Sequence, residues 1–430
     1  MKFPDLALDS ESLVFGHSVH PLRYGAGLEI GNGYVTPEIK YFPRVEVDIR
    51  KEYSTITEEI LKRASQIGIQ NLQLETELTH AEMKDLSLVS DITGLQKAAI
   101  EKYAGEHGMH LGLRVTIPDI RDFGKPKHDE DAFNRMVQAF ELASENGADV
   151  LSVESLGGKE LFNYAILRQD ILGISAALGL LAISDMTELW GEIVRVANEH
   201  GVIPGGDSAC AFGNTAMMMA GGLKDNTIPH CLAAIVRAMT ASRSLVAYER
   251  GALGPGKDCA YENVVVKAIT GYPMSMEGKT AAVAHSSLVG NISAATCDLW
   301  SNEQVEQVRL FGGFGPEVFL EILHYDTKVM NKAIEKGQRK VLKELLTESD
   351  KYGDPQAYVL SPEVATAIGR TIVDGKDELS RTIASGLTAA ELIVSEKRLM
   401  LGKAEMRYLG QVRARLTELC DDPRRKVRSL

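Results

Sequence analysis

Of the chain's 430 residues, 44% are hydrophobic, 6% aromatic and 25% charged, and 47 Lys and Arg against 59 Asp and Glu leave a formal charge of −12. These globular values exclude a disordered, collagen-like or low-complexity protein and speak against nucleic acid as the main partner. A chain this long buries a large core and forms two or three domains, or one barrel with additions.

The opening MKFPDLALDSES has no apolar stretch behind its basic residue, so it does not read as a signal peptide. Ile56, Ile60, Ala64 and Ile67 share a helix face closed by Gly68, and Leu72-Gln73-Leu74 then alternates like a strand. Leu111, Leu113, Val115 and Ile117 alternate after Gly108. Phe133, Met136, Val137 and Phe140 mark a helix stopped by Gly147, before a strand at 150–153. The apolar run 171–183 is about 13 residues, short of the roughly 20 that span a membrane, and 180–183 after Gly179 reads as a further strand. Leu189, Ile193, Val196 and Ala197 form the next helix, closed by Gly201 before Val202-Ile203.

Repeated strand–helix units with glycine stops indicate parallel strands joined by helical crossovers. Five or more such units favour a (β/α)8 TIM-type barrel over a doubly wound sheet, with strands seven and eight in 244–292. Beyond about residue 327 strand signals give way to helices, with Met330, Ala333, Ile334, Gly337 and Val341 on one face. The expected division is a barrel over 1–326 and a C-terminal helical region over 327–430 that meets a partner or a second subunit. The basic cluster Arg424, Arg425, Lys426 and Arg428 reads as a solvated tail.

A parallel barrel builds its site at the C-terminal strand ends, which here carry Glu77, Asp119, Glu154, Asp185 and Asp207. Carboxylates crowded at one rim raise one another's pKa or attract a cation, unless they cap helices. The capping reading suits Asp119 and Asp185. Glu154 reads as functional, because Gly157 and Gly158 leave room beside it.

The five cysteines form no disulfide framework, which points to reduced thiols and a cytoplasmic protein. Cys210 and Cys259 lie in polar, glycine-rich loops, the setting of reactive or metal-binding thiols. Cys231 reads as buried in an apolar helix, and Cys297 and Cys420 as structural or incidental. One carboxylate and two thiolates suit zinc with a fourth position open, and without paired C-x-x-C spacing a catalytic site is the better reading than a structural one. Gly251-x4-Gly256-Lys257 fails as a P-loop because Asp258 stands where Ser or Thr would hold magnesium. Gly31-Asn32-Gly33 reads as a turn, and His17, His20 and His285 as hydrogen-bonded structural residues rather than groups lining the mouth.

The segment Gly206-Asp207-Ser208-Ala209-Cys210 with Asn214-Thr215-Ala216-Met217 resembles the zinc-binding segment of the methanol:corrinoid methyltransferases of methanogens and acetogens. Val153-Glu154-Ser155 and Gly256-Lys257-Asp258-Cys259 resemble that family's other two ligand segments, 56 residues before and 49 after Cys210. The resemblance covers most of the chain, helical C-terminus included. It implies one zinc ion per chain on Glu154, Cys210 and Cys259, a separate corrinoid protein as partner, and a homodimer of such pairs.

The implied reaction uses zinc as a Lewis acid on the methanol oxygen, while cobalt(I) of the partner's corrinoid takes the methyl group. The electron-rich ligand shell weakens that acid, so a proton donor is expected. Asp207, three residues before a ligand, is the candidate, either as donor or as a group orienting the ligands. The competing readings are a corrinoid methyltransferase for a methoxy or other small methyl donor, a zinc hydrolase on a barrel, and a non-catalytic subunit with structural zinc.

Overall fold

The computed structural model describes residues 2–43, 48–122, 124–125, 129–221, 227–302, 309–310, 313–421 and 423, so the basic cluster at Arg424, Arg425, Lys426 and Arg428 lies outside the described residues. The chain opens with an antiparallel hairpin of β1 (His17–Tyr24) and β2 (Leu28–Asn32). The parallel strands follow: β3 (Thr36–Tyr41), β4 (Asn71–Glu77), β5 (His110–Pro118), β6 (Val150–Glu154), β7 (Ile203–Asp207), β8 (Ser275–Glu277) and β9 (Leu299–Ser301). Their spatial order is β7-β6-β5-β4-β3-β9-β8.

The gap between β7 and β8 is filled by residues 253–256. Leu253 and Gly254 donate to the Pro204 and Gly205 carbonyls at 2.8 and 2.9 Å. On the other side Gly256 donates to Pro273 at 3.1 Å, and Ser275 donates back to Gly256 at 3.2 Å. Pro255 has no N–H to offer, so this stave, the sixth in chain order, is irregular. Gly206 permits the approach, since a Cβ there would lie 3.0 Å from the Gly256 Cα and 2.8 Å from the Tyr248 hydroxyl. The staves follow chain order around the ring, as the (β/α)8 reading requires. The seventh, β8, falls in the expected interval; the eighth, β9, lies beyond it, and the first, β3, was not singled out by periodicity.

Gly68, Gly108, Gly147 and Gly201 follow helices with φ of +78°, +65°, +109° and +68°, as helix stops should. Gly179 does not. Residues 180–183 are not a strand: they belong to a continuous helix of Ile171–Ala176, a wider π-helical stretch Ala177–Ala182, and Ile183–His200. A short apolar run bounded by glycine does not distinguish strand from buried helix. Here Gly179 faces Leu379 and Thr382, so close that a Cβ would stand 3.0 to 3.1 Å from them. By length and composition Ile171–His200 is apolar enough to cross a membrane, and 67% of its most apolar window is buried inside the protein.

The C-terminal region is helical from Gly315–Glu335 through Lys403–Asp421. The first of these helices lies against the barrel, where the Asn331 side chain bonds the Val35 N–H and carbonyl at 2.8 and 2.9 Å. It runs through the expected 326/327 division. Gly337, at φ +67°, separates it from Arg339–Asp350, so Met330 and Val341 belong to different helices.

The barrel's polarity sets up the site. Leu72 and Leu74 of β4 face the surrounding helices, while Gln73 and Glu75, both fully buried, face the lumen. At the N-terminal end the β1–β2 hairpin closes the barrel, packing Tyr24, Leu28 and Ile30 on Val150 and Leu299. His20 lies in that hairpin against the Tyr272 ring, 4.9 Å between centroids, at the end opposite Glu154. His285 bonds the Ala281 carbonyl at 2.7 Å.

Candidate metal centre at the barrel mouth

The end of β6 carries Glu154. The loop after β7 carries Cys210, on the first residue of a short π-helical turn, Cys210–Asn214. The loop after the irregular stave carries Cys259. Their donor atoms all lie within 4.8 Å of one another. The Cys259 thiol donates to Glu154 Oε1 at 2.9 Å, and Ser208 Oγ lies 2.9 Å from the same sulfur. Asn214 donates to the Cys210 sulfur at 3.5 Å and to the Cys259 carbonyl at 3.1 Å. Cys231 and Cys297 are buried elsewhere and Cys420 is exposed.

Beneath these donors the lumen holds charge where most barrels hold apolar layers. Lys257, read from sequence as part of a failed P-loop, is fully buried. Its Nζ lies 2.5 Å from Asp258, 2.7 Å from Glu75, 3.3 Å from Glu154 and 3.6 Å from Glu77. Lys40 pairs with Asp258 and Glu277, both at 3.1 Å, and Arg114 with Glu38 at 2.9 Å. Thus, among the described residues, three cations, Lys40, Arg114 and Lys257, face six carboxyls: Glu38, Glu75, Glu77, Glu154, Asp258 and Glu277. The excess of acid at the floor of the site favours a further cation.

Ionisation follows this arrangement. Burial pushes Glu38 up to about 7, with Arg114 opposing, and raises Glu75 and Glu77 as well. Burial opposes the charge on Glu154 too, but Lys257 and Lys40 outweigh it and hold that carboxyl below its ordinary value. The hydrogen bond with Cys259 lowers the Cys210 pKa, yet burial and the carboxylates of Glu154 and Glu277 prevail and raise it. Burial, then Cys210 and Glu154, raises Cys259 further. Both thiols therefore keep their protons until a cation arrives among them. A divalent ion would displace those protons and bind two thiolates and a carboxylate, the donor set of a three-ligand zinc site with an open position.

An open cavity of about 280 Å³ adjoins Glu154, lined also by Glu77, His80, Thr116 and Asp119 among others. Among the described residues Asp119 and Asp185 cap no helix. Both grip Arg121, Asp119 at 2.7 and 2.8 Å and Asp185 at 2.8 and 2.9 Å, and Asp119 also accepts from the Leu156 N–H at 2.8 Å. The space beside Gly157 belongs to this clamp and not to a ligand, since a Cβ there would stand 2.2 Å from Asp185.

Asp207 accepts from the N–H groups of Ser155 and Ser208 at 3.2 and 2.7 Å, from Trp190 at 2.9 Å and from Arg243 at 3.0 Å. With four donors converging on its two oxygens, Asp207 is tied into the fold on both sides, and this geometry speaks for orientation over proton donation. Sequence reasoning missed Lys40, Glu75, Arg114, Lys257 and Arg243. The alternation of Gln73, Glu75 and Glu77 with Leu72 and Leu74 was the available signal, but polar residues on one strand face ordinarily mean solvent.

The family model of the methanol-cobalamin methyltransferase B subunit matches residues 1–429. The methanol–corrinoid protein co-methyltransferase of Methanosarcina barkeri (strain Fusaro / DSM 804) is 43% identical over 425 residues, 96% of this chain and 92% of that one. In the crystal structure of the methanol:cobalamin methyltransferase complex MtaBC from Methanosarcina barkeri, one chain superposes with a TM-score of 0.94 at 42% identity, covering 98% of this chain and 94% of that one. The likeness thus extends over nearly the whole chain, and the chain belongs to the methanol-cobalamin methyltransferase B subunit family.

Proposed function

We propose that this chain activates methanol at a zinc ion held by Glu154, Cys210 and Cys259, and transfers the methyl group to cobalt(I) of a corrinoid carried by a separate protein. The observation that carries the reading is the convergence of those three donors, from three separate stave ends, within 4.8 Å at the mouth of the barrel. The name of the Methanosarcina barkeri relative supports methanol and a corrinoid protein as the substrates.

Zinc bound there would supply Lewis acidity to the alcohol oxygen. The chain's own groups do the rest. Lys257 and Lys40 keep Glu154 ionised. Asn214 and Ser208, at the two sulfurs, orient them. Asp207 holds the loop that leads to Cys210. In the transfer the C–O bond breaks with its electron pair going to oxygen, a proton joins that oxygen, and cobalt(I) supplies the pair for the new cobalt–carbon bond. We assign the proton to the Glu77 carboxyl, which lines the cavity with Glu154. The cavity exceeds what methanol needs, which leaves space for the corrinoid face to approach.

The test mixes the purified chain, its zinc content measured, with a corrinoid protein reduced to cobalt(I) and with methanol. The expected result is conversion of the cobalt(I) absorption to that of methylcobalt(III), lost when zinc is stripped and regained when it is returned. A spectrum that stays unchanged with methanol but responds to a methoxy donor would move the substrate assignment.

A further inference from the structure

We propose that Arg243 is a positioning residue for the metal site, tying the end of β6, which carries Glu154, to the end of β7, which leads to Cys210. The proposal rests on the metal reading above and deepens it: one guanidinium sets the span between two of the three donors.

The backbone alone does not set that span. The β6–β7 ladder pairs Val150 with Ile203 and Leu151 with Pro204, then shifts register before Val153 meets Asp207. The irregularity falls one residue short of Glu154, where a ligand needs a defined position. Arg243 bridges the two strands just beyond it. Its Nη2 donates to the Ser155 carbonyl at 3.0 Å and to Ser155 Oγ at 2.5 Å, on the residue after Glu154. The same nitrogen donates to Asp207 Oδ1 at 3.0 Å, and Nη1 donates to the Ser208 carbonyl at 2.9 Å, two residues before Cys210. Asp207 completes the link by accepting from the Ser155 and Ser208 N–H groups. The guanidinium also lies 5.1 Å from the centre of the Phe212 ring, two residues past Cys210.

The anchor is rigid. Arg243 and Asp207 pair with both side chains fully buried. The helix His230–Arg250 is buried from Cys231 to Tyr248, and Gly386 of the C-terminal region packs so closely on it that a Cβ would stand 2.8 Å from Met239. A planar fork that donates to both strand ends at once is a task for arginine; a lysine ammonium keeps the charge but not the geometry.

The experiment uses the full chain with Arg243→Lys and, as a control, Lys267→Met. Lys267 pairs with Asp298 at 2.8 Å, both fully buried, near Val14 and Thr296 and away from the metal donors. Zinc affinity is read by competition with a chromophoric chelator, and site geometry by the thiolate-to-metal and d–d absorption of the cobalt(II)-substituted protein. Arg243→Lys should lose roughly 10- to 100-fold in zinc affinity and alter the cobalt(II) bands while its circular dichroism stays native. Lys267→Met should melt lower yet keep the wild-type affinity and bands. Should Arg243→Lys fail to fold, the double variant Arg243→Met with Asp207→Asn removes both buried charges together and should show the same metal phenotype. The proposal is overturned if the Arg243 variants bind zinc like the wild type with the same cobalt(II) spectrum, or if Lys267→Met shifts both readouts equally. If the wild type takes up no zinc, the metal reading itself fails and the proposal goes with it.

Discussion

Replacing Lys257 by Met tests whether the barrel lumen is held together by charge. The ammonium lies 2.5 to 3.6 Å from Asp258, Glu75, Glu154 and Glu77 in a fully buried setting. At an effective dielectric near 20, each close pair is worth about 5 kcal/mol of gross attraction, most of it offset by the desolvation of both partners. Removing one partner of a buried pair typically costs about 3–5 kcal/mol. Glu75 and Glu77, already raised by burial, respond by taking protons, so the expected cost lies at the lower end, about 3 kcal/mol. The measurement is guanidinium unfolding at pH 7.5 in chelator, followed by the fluorescence of Trp190 and Trp300, both fully buried. Added zinc should stabilise Lys257→Met by more than it stabilises the wild type, because the ion replaces positive charge beside Glu154. A loss under about 1 kcal/mol, or equal zinc stabilisation in the two proteins, would refute the lumen reasoning.

Cys210→Ala and Cys259→Ala should each abolish zinc retention and methyl transfer; full activity in the metal-depleted double variant would refute the site. Asp207→Asn should lower turnover while zinc stays at about one per chain in elemental analysis; unchanged turnover would remove Asp207 from the mechanism. Glu38 bears on pH. Its folded pKa of about 7 lies above the ordinary value of 4.5, so the stability linked to it is fully present below about 4.5 and lost as pH rises through about 7. That loss is of order 3 kcal/mol. Glu38→Gln, which cannot ionise, should flatten the fall in unfolding free energy between pH 5 and 8, and an unchanged slope would count against the shift.

Much of the frame was legible in one dimension. Helix periodicity and the glycine stops at 68, 108, 147 and 201 marked consecutive strand–helix units, because a helix stop needs a left-handed residue and glycine supplies it. The three donors were legible too, Cys210 and Cys259 as thiols in polar, glycine-rich loops and Glu154 as a carboxylate at a strand end. What only the tertiary structure decided follows from contacts between distant residues. Period-2 alternation says that a strand has two unlike faces but not which one is inside, so it could not place Gln73 and Glu75 in the lumen, where both are fully buried. The run 180–183 became helix because the C-terminal region covers it at Leu379 and Thr382, some 200 residues on. The barrel's closing stave carries a proline and no strand pattern, so it exists only through its bonds to Pro204, Gly205, Pro273 and Ser275. Arg243 carried no signal in the sequence; its burial beside Asp207, where two strand ends lose register, gives it a place at the site.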